Sequence, residues 1–360
     1  MVFKLKGSRT LGHAIDSHEN GFNVVRLLCA LLVVVYHAYQ LNTVAPRPDP
    51  ISSFTAPHAD LGSIAVGIFF IISGLFITQS WMRDPHLARF ALRRVARIVP
   101  GLFVCLLATT VCAVSLYSAE GVAGMLRAEP WRYIGGASVL HWLQYNIAPQ
   151  ELRIAGVLAG QDLNGPLWTL YWEGRMYVML ALIGLAAMMP MRTWIRGAAL
   201  FLLLAANLFP EVLSGFIWEV RMWSLFLTGM ILYTLAPQLR IGLVHVLCAL
   251  VLAGLNWTRS LAITGHGLTW FGIALAMAAC ALWIGAARYD GMRHMRRHDY
   301  SFGIYIYHWP VLLMVRAAWP PMDALPLLGV AMLVITPLAM LSWHLIEAPA
   351  QQLARRLLKR

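Results

Sequence analysis

Arg26 and His37 stand 11 residues apart in the run NVVRLLCALLVVVYHAYQ (23–40), which is otherwise nearly all apolar. At 3.6 residues per turn this spacing is almost three whole turns. A helix there puts both side chains on one face, about 16 Å apart along its axis. An imidazole can take up and return a proton near neutral pH, and a guanidinium fork fits phosphate or carboxylate. The same spacing also allows a plainer reading, in which Arg26 snorkels to a membrane surface and His37 makes a buried hydrogen bond.

Other side chains raise the same choice. In RDPHLARFALRRVARIVP (83–100), Arg94 and Arg97 lie one helical turn apart, where two guanidinium forks could dock a phosphate-bearing cytosolic ligand. Such an arginine cluster more commonly only fixes topology or touches anionic headgroups. Glu173, in DLNGPLWTLYWEGRMYVML (162–180), would be costly in lipid if unpaired. Arg175 is two residues away and does not share its helix face. Counted from the ends of the predicted spans, Glu173 and His37 come within about 5 Å in depth. A carboxylate beside the imidazole could fix its tautomer and raise its basicity, while a helix-locking hydrogen bond is the structural alternative. Ser73 and Gly74, in GSIAVGIFFIISGLFITQSW (62–81), suit close helix packing. Tyr305, Tyr307 and His308, in SFGIYIYHWPV (301–311), read as an aromatic belt in the cytoplasmic half of their span.

The elements that must position these groups are membrane helices. Of the 360 residues, 59% are hydrophobic and 12% charged, about half the charged share of a soluble domain. Apolar runs against their breakers predict an all-α polytopic protein of about ten spans, near 22–41, 61–81, 98–118, 165–189, 197–209, 218–236, 241–256, 267–287, 301–319 and 324–346. With the N-terminus inside, 19 of the 28 Lys and Arg fall in inside connections, five outside, and four within spans (Arg26, Arg175, Arg221, Arg316). That asymmetry predicts cytoplasmic termini: a segment 1–21, a membrane domain 22–346 and a basic tail 347–360 suited to anionic lipid. The net charge of +12 is distributed in this way rather than gathered into a nucleic-acid patch. The longest outside connection, 119–164, contains WRYIGGASVLHWLQYN and predicts an interfacial or re-entrant helix. Five dispersed cysteines without a C-x-x-C pair suggest neither a disulfide framework nor a metal site. No cleavable signal peptide is expected.

Several ordered motifs resemble the integral-membrane acyltransferase 3 family. Arg26 and His37 fit its first-helix Arg-x10-His signature, and IFFIISGLFIT, with Ser73 and Gly74, resembles its FF-x-x-SGFL element. Arg94-x-x-Arg97 resembles its Arg-x-x-Arg motif, and LWTLYWE, carrying Glu173, its LWSL-x-x-E element. SFGIYIYHWPV and LIEAP resemble its late SYG-x-Y-x-x-H and ErP elements. Ala65, Gly67 and Arg175 depart from the usual pattern.

The resemblance implies a bacterial inner-membrane O-acyltransferase with no permanently bound cofactor. It would use acetyl-CoA or another acyl-CoA from the cytoplasm and modify a hydroxyl of a carbohydrate, a lipid-linked glycan or another acceptor. On that footing His37 is the expected general base, supported by Glu173. Arg26, Arg94 and Arg97 would hold the coenzyme A phosphates, and Ser73, Tyr307 and His308 would line the donor's passage. A covalent acyl-histidine relay is the mechanistic alternative. From another class, a secondary transporter would also suit ten crossings with polar residues at depth, although no repeat between halves is visible.

Overall fold

The computed structural model describes residues 10–17, 20–42, 44, 47–55, 59–140, 153–186, 193–198, 201, 217–262, 267–287 and 298–359. Among these the protein is helical, with no strand. The helices include, in chain order, α1 (Leu11–Asp16), α2 (Phe22–Gln40), α3 (Leu61–Arg83), α4 (Leu87–Tyr117), α5 (Ala128–Ser138), α6 (Trp168–Ala186), α7 (Ile217–Leu235), α8 (Leu243–Ala262), α9 (Gly267–Ala286), α10 (Ser301–Ala318), α11 (Ala324–Ser342) and α12 (Ala348–Leu357). The segments Phe22–Gln40, Leu61–Arg83, Leu87–Tyr117 and Ala324–Leu357 are long and apolar enough to cross a membrane. The predicted spans coincide with helices, except the fifth (197–209), most of which lies outside the described residues.

The differences have local causes. The arginine-rich stretch expected as a connection is already helix, because α4 starts at Leu87. Between Pro85 and Pro100 no residue breaks a helix, and Ala, Leu and Arg all favour one. Pro100 is accommodated inside α4 although it lacks an N–H. After α11 the chain does not stop. A π-helical turn, Trp343–Glu347, leads into α12, with the Ala348 N–H donating five residues back to the Trp343 carbonyl. Within 119–164, α5 covers the first half of the aromatic stretch, whereas 141–152, including Trp142, lie outside the described residues.

The chain divides into two compact units. The first comprises Met1–Cys29, Phe54–Pro85 and Met176–Asp299; the second comprises Ala30–Ser53, His86–Arg175 and Tyr300–Arg360. In the first unit, α3 begins with a capping box in which Asp60 accepts from the Ser63 N–H and the Ser63 hydroxyl faces the Asp60 N–H. It crosses α7 at two glycines. A Cβ on Gly74 would stand 2.0 Å from the Phe226 carbonyl oxygen, and one on Gly229 2.0 Å from that of Ile71. Only hydrogen fits at these positions, so the helix backbones meet directly. Phe22 packs edge-on against Phe76, with ring centres 5.0 Å apart. The α8–α9 pair closes on Val246, Ala249 and Ala279.

In the second unit, α10 and α11 approach at Gly303, where a Cβ would lie 2.8 Å from the Ala339 Cα. Asp323 caps α11 through the Ala324 N–H and also accepts from the Asn42 amide at 2.7 Å. Asn42, just beyond α2, is thereby fastened to the start of α11. The Tyr117 hydroxyl, closing α4, donates to the Met314 carbonyl of α10 at 2.7 Å.

Candidate active site

His37 lies near the end of α2, in a segment of Val, Leu, Tyr and Ala whose apolar side chains favour burial. Its Nδ1 stands 2.9 Å from Nε2 of His308 on α10, and the two rings stack with centres 5.0 Å apart. Tyr36 and Trp309 each place a ring centre 5.0 Å from His37, the latter edge-on. The Val33 carbonyl, one turn back on α2, also hydrogen-bonds His37.

His308 is fully buried, and its Nδ1 lies 2.5 Å from the Tyr305 carbonyl oxygen. Tyr305 is itself held. Its hydroxyl donates to the Pro166 carbonyl at 2.5 Å and lies 2.5 Å from the Thr169 hydroxyl. Because a carbonyl only accepts, the Tyr305 proton points to Pro166 and the Thr169 hydroxyl is the donor to Tyr305. Trp309 donates its indole N–H to the Asp162 carbonyl at 2.7 Å. The segment just before α6 is thus bound to α10 on both sides of His308.

A second polar cluster of this unit surrounds Glu347, whose side chain is completely buried in the π turn. Its Oε1 accepts from the Ser342 hydroxyl at 2.9 Å, and its Oε2 lies 3.9 Å from Arg97. Tyr307 hydrogen-bonds Ser342, joining α10 to the same cluster. The Arg97 guanidinium also covers the Phe302 ring at 5.7 Å, and Arg94 lies over Phe90 at 5.8 Å. The π turn adds one residue to the helical repeat, and the carboxylate that faces α4 sits at its end.

Each sequence-predicted residue has a definite place. Arg94 and Arg97 are one turn apart on α4, as their spacing predicts, and Arg97 comes with a carboxylate partner. Tyr307 and His308 are both buried in the second unit, Tyr307 toward Glu347 and His308 toward His37. Glu173 is half-buried on α6, and the ring hydrogen-bonded to His37 Nδ1 is that of His308. His308 therefore reaches the depth of His37, where depth counting had placed it in the opposite half of its span. Helices that start at different levels, with different tilts, are not ranked by residue number. Arg175 stacks on Tyr171 at 5.4 Å and Trp172 at 5.1 Å, both on its own helix.

In the first unit, Arg26 makes an ion pair with Asp299 at 3.2 Å. Ser73 is buried beside the Gly74 crossing. Asp299 and Glu347 had no assigned role from the sequence. Acidic residues number only 16 against 28 basic ones, so an acidic residue beside an apolar run was the signal that could have found both.

Comparison with known proteins agrees with these motifs. Over 376 residues the chain is 29% identical to nodulation protein 10 of Rhizobium leguminosarum bv. viciae, covering 96% of each chain. Over 347 residues it is 25% identical to an O-acetyl transferase of Shigella phage Sf6, covering 91% of this chain and 95% of that one. No solved structure matches. The acyltransferase 3 model, described as an acyltransferase domain, matches residues 19–344, and the chain therefore belongs to that family of membrane acyltransferases.

Proposed function

We propose that the protein is an O-acetyltransferase that takes acetyl from acetyl-CoA at the cytoplasmic face and passes it to a hydroxyl of a carbohydrate or lipid-linked glycan. Family membership displaces the transporter alternative, because the family transfers acyl groups. The O-acetyl transferase of the phage supports acetyl and oxygen as the transferred group and the acceptor atom. The observation that carries the reading is the His37 imidazole, hydrogen-bonded through Nδ1 to the fully buried imidazole of His308.

In the proposed reaction the acceptor hydroxyl oxygen attacks the thioester carbon while His37 Nε2 takes its proton. The C–S bond then breaks, and the imidazolium returns the proton to the departing coenzyme A thiolate. Ester and thiol are the products, and His37 is regenerated. Arg94 and Arg97 suit the donor's phosphates, because their two forks lie on one helix face. Glu347 would hold Arg97 in place. Tyr307 would border the donor's path through the second unit. The supporting role of Glu173, and the donor roles of Arg26 and Ser73, rest on family likeness.

The test is acetyl transfer from radiolabelled acetyl-CoA in membranes containing matched amounts of inserted protein. His37→Ala is expected to lose roughly a thousandfold in rate, within the range supplied by a general base. Arg94→Ala is expected to raise KM for acetyl-CoA about tenfold with a smaller change in kcat, as loss of one charge-assisted phosphate contact implies. Unchanged transfer by His37→Ala would overturn the assignment of the base. Undiminished donor affinity in Arg94→Ala would remove Arg94 from the donor site.

A further inference from the structure

We propose that His308 is a positioning residue that fixes the tautomer of His37. The inference rests on the reading of His37 as the base, and it replaces a donor-binding role for His308.

The argument follows the protons. His308 Nδ1 faces the Tyr305 carbonyl at 2.5 Å, and a carbonyl has no proton to give, so Nδ1 carries the hydrogen. In a neutral imidazole the other nitrogen then holds the lone pair, so His308 Nε2 accepts. The group opposite, His37 Nδ1 at 2.9 Å, must be the donor. The proton on His37 Nδ1 leaves the lone pair of its neutral ring on Nε2, which is the atom a base requires. The opposite order would put protons on both nitrogens of His308, a cation on a fully buried ring held only by a carbonyl. The order at His308 is therefore set by Tyr305, whose hydroxyl is tied to Pro166 and Thr169 and whose backbone belongs to a turn of α10, and the one N–H of the neutral His37 ring also serves the Val33 carbonyl.

Both nitrogens of His308 are engaged inside the protein, so neither remains for a donor molecule. Its service to the reaction is electrostatic as well as geometric. When His37 becomes an imidazolium, its Nδ1–H already points at a lone pair, so the new charge meets an oriented dipole. An aspartate in the same place would add an ion to a buried site that now remains neutral at rest.

Two substitutions that keep a polar group separate this role from packing. The Gln amide reaches the place of His308 Nε2 and can offer an oxygen to His37. The Asn amide reaches only the place of Nδ1, where it can satisfy the Tyr305 carbonyl but not His37. With amounts matched by detergent-solubilised size exclusion, His308→Gln is expected to keep kcat within about tenfold of wild type. His308→Asn is expected to fall on the order of a hundredfold or more, with KM for acetyl-CoA unchanged in both. Equal kcat for the two folded variants, whether both high or both low, would overturn the proposal. So would a loss in His308→Asn that appears in KM alone. If either variant cannot be recovered, the other decides: a recovered Gln variant down a hundredfold or an Asn variant within threefold overturns it, and the reverse supports it. His37→Ala in the same series keeps the two readings apart. Full activity there sinks the base itself, whereas an inactive His37→Ala with equal His308 variants sinks only the tautomer role.

Discussion

The two units place their polar side chains differently. In the first, the closest approach between helices is backbone on backbone, α3 on α7 through Gly74 and Gly229. Its buried hydroxyls, such as Thr78, bond their own helix backbone, and charged contacts sit toward helix ends: Asp16 accepts from Gln79 and Arg83, and Asp299 pairs with Arg26. In the second, polar side chains meet in the interior: His37 with His308, Thr169 with Tyr305, Arg97 with Glu347. Glycine contacts economise on space and hold a shape. Interior polar pairs cost desolvation, and they are the groups from which proton transfer and charge recognition can be built. The motif Ser73-Gly74 therefore belongs to architecture in its glycine, while the motif ending at His308 supplies interior polar contacts.

Four substitutions would break or sharpen this contrast. The largest effect is expected at Gly74→Val, where a Cβ would overlap a carbonyl oxygen of α7; little folded protein should be recovered, as judged by size exclusion. A normal yield would mean that the crossing is adaptable and that the first unit is not the rigid part. His37→Ala should give the opposite signature, with normal yield and melting but about a thousandfold less transfer. Glu347→Ala comes next, leaving Arg97 with its buried partner removed; a loss of about 3–5 kcal/mol, read as a lower melting temperature, is expected from breaking a buried pair. Unaltered melting there would show that the pair is not integral to the interior. Smallest is Gly329→Ala on α11, where the added Cβ meets nothing within 4 Å; stability should stay level or rise by about 0.5–1 kcal/mol in melting measurements.

Local features were legible in the sequence, and partners were not. Hydrophobic runs marked α2, α3, α7, α9, α10 and α11 because burial and length are written into composition. The register of Arg94 and Arg97 followed from a period that any helix imposes. The partner of His37 lies 271 residues away, and no local pattern specifies which helix comes alongside it. Depth arithmetic brought Glu173 to the level of His37, while His308 read as part of an aromatic belt and, by resemblance, as lining of the donor's passage. Glu347 was visible within LIEAP, but its meeting with Arg97 depends on a π turn that composition does not announce.

That turn has an effect beyond its own five residues. One surplus residue offsets the winding of all that comes after it by about 100°. In α12 it decides which sides carry Leu353 and Leu357 and which carry Arg355 and Arg356. Excising a single residue from 343–347 would swivel the terminal helix by more than a quarter revolution, moving Leu357 to the place Arg356 had held and Arg355 to that of the buried Ala354.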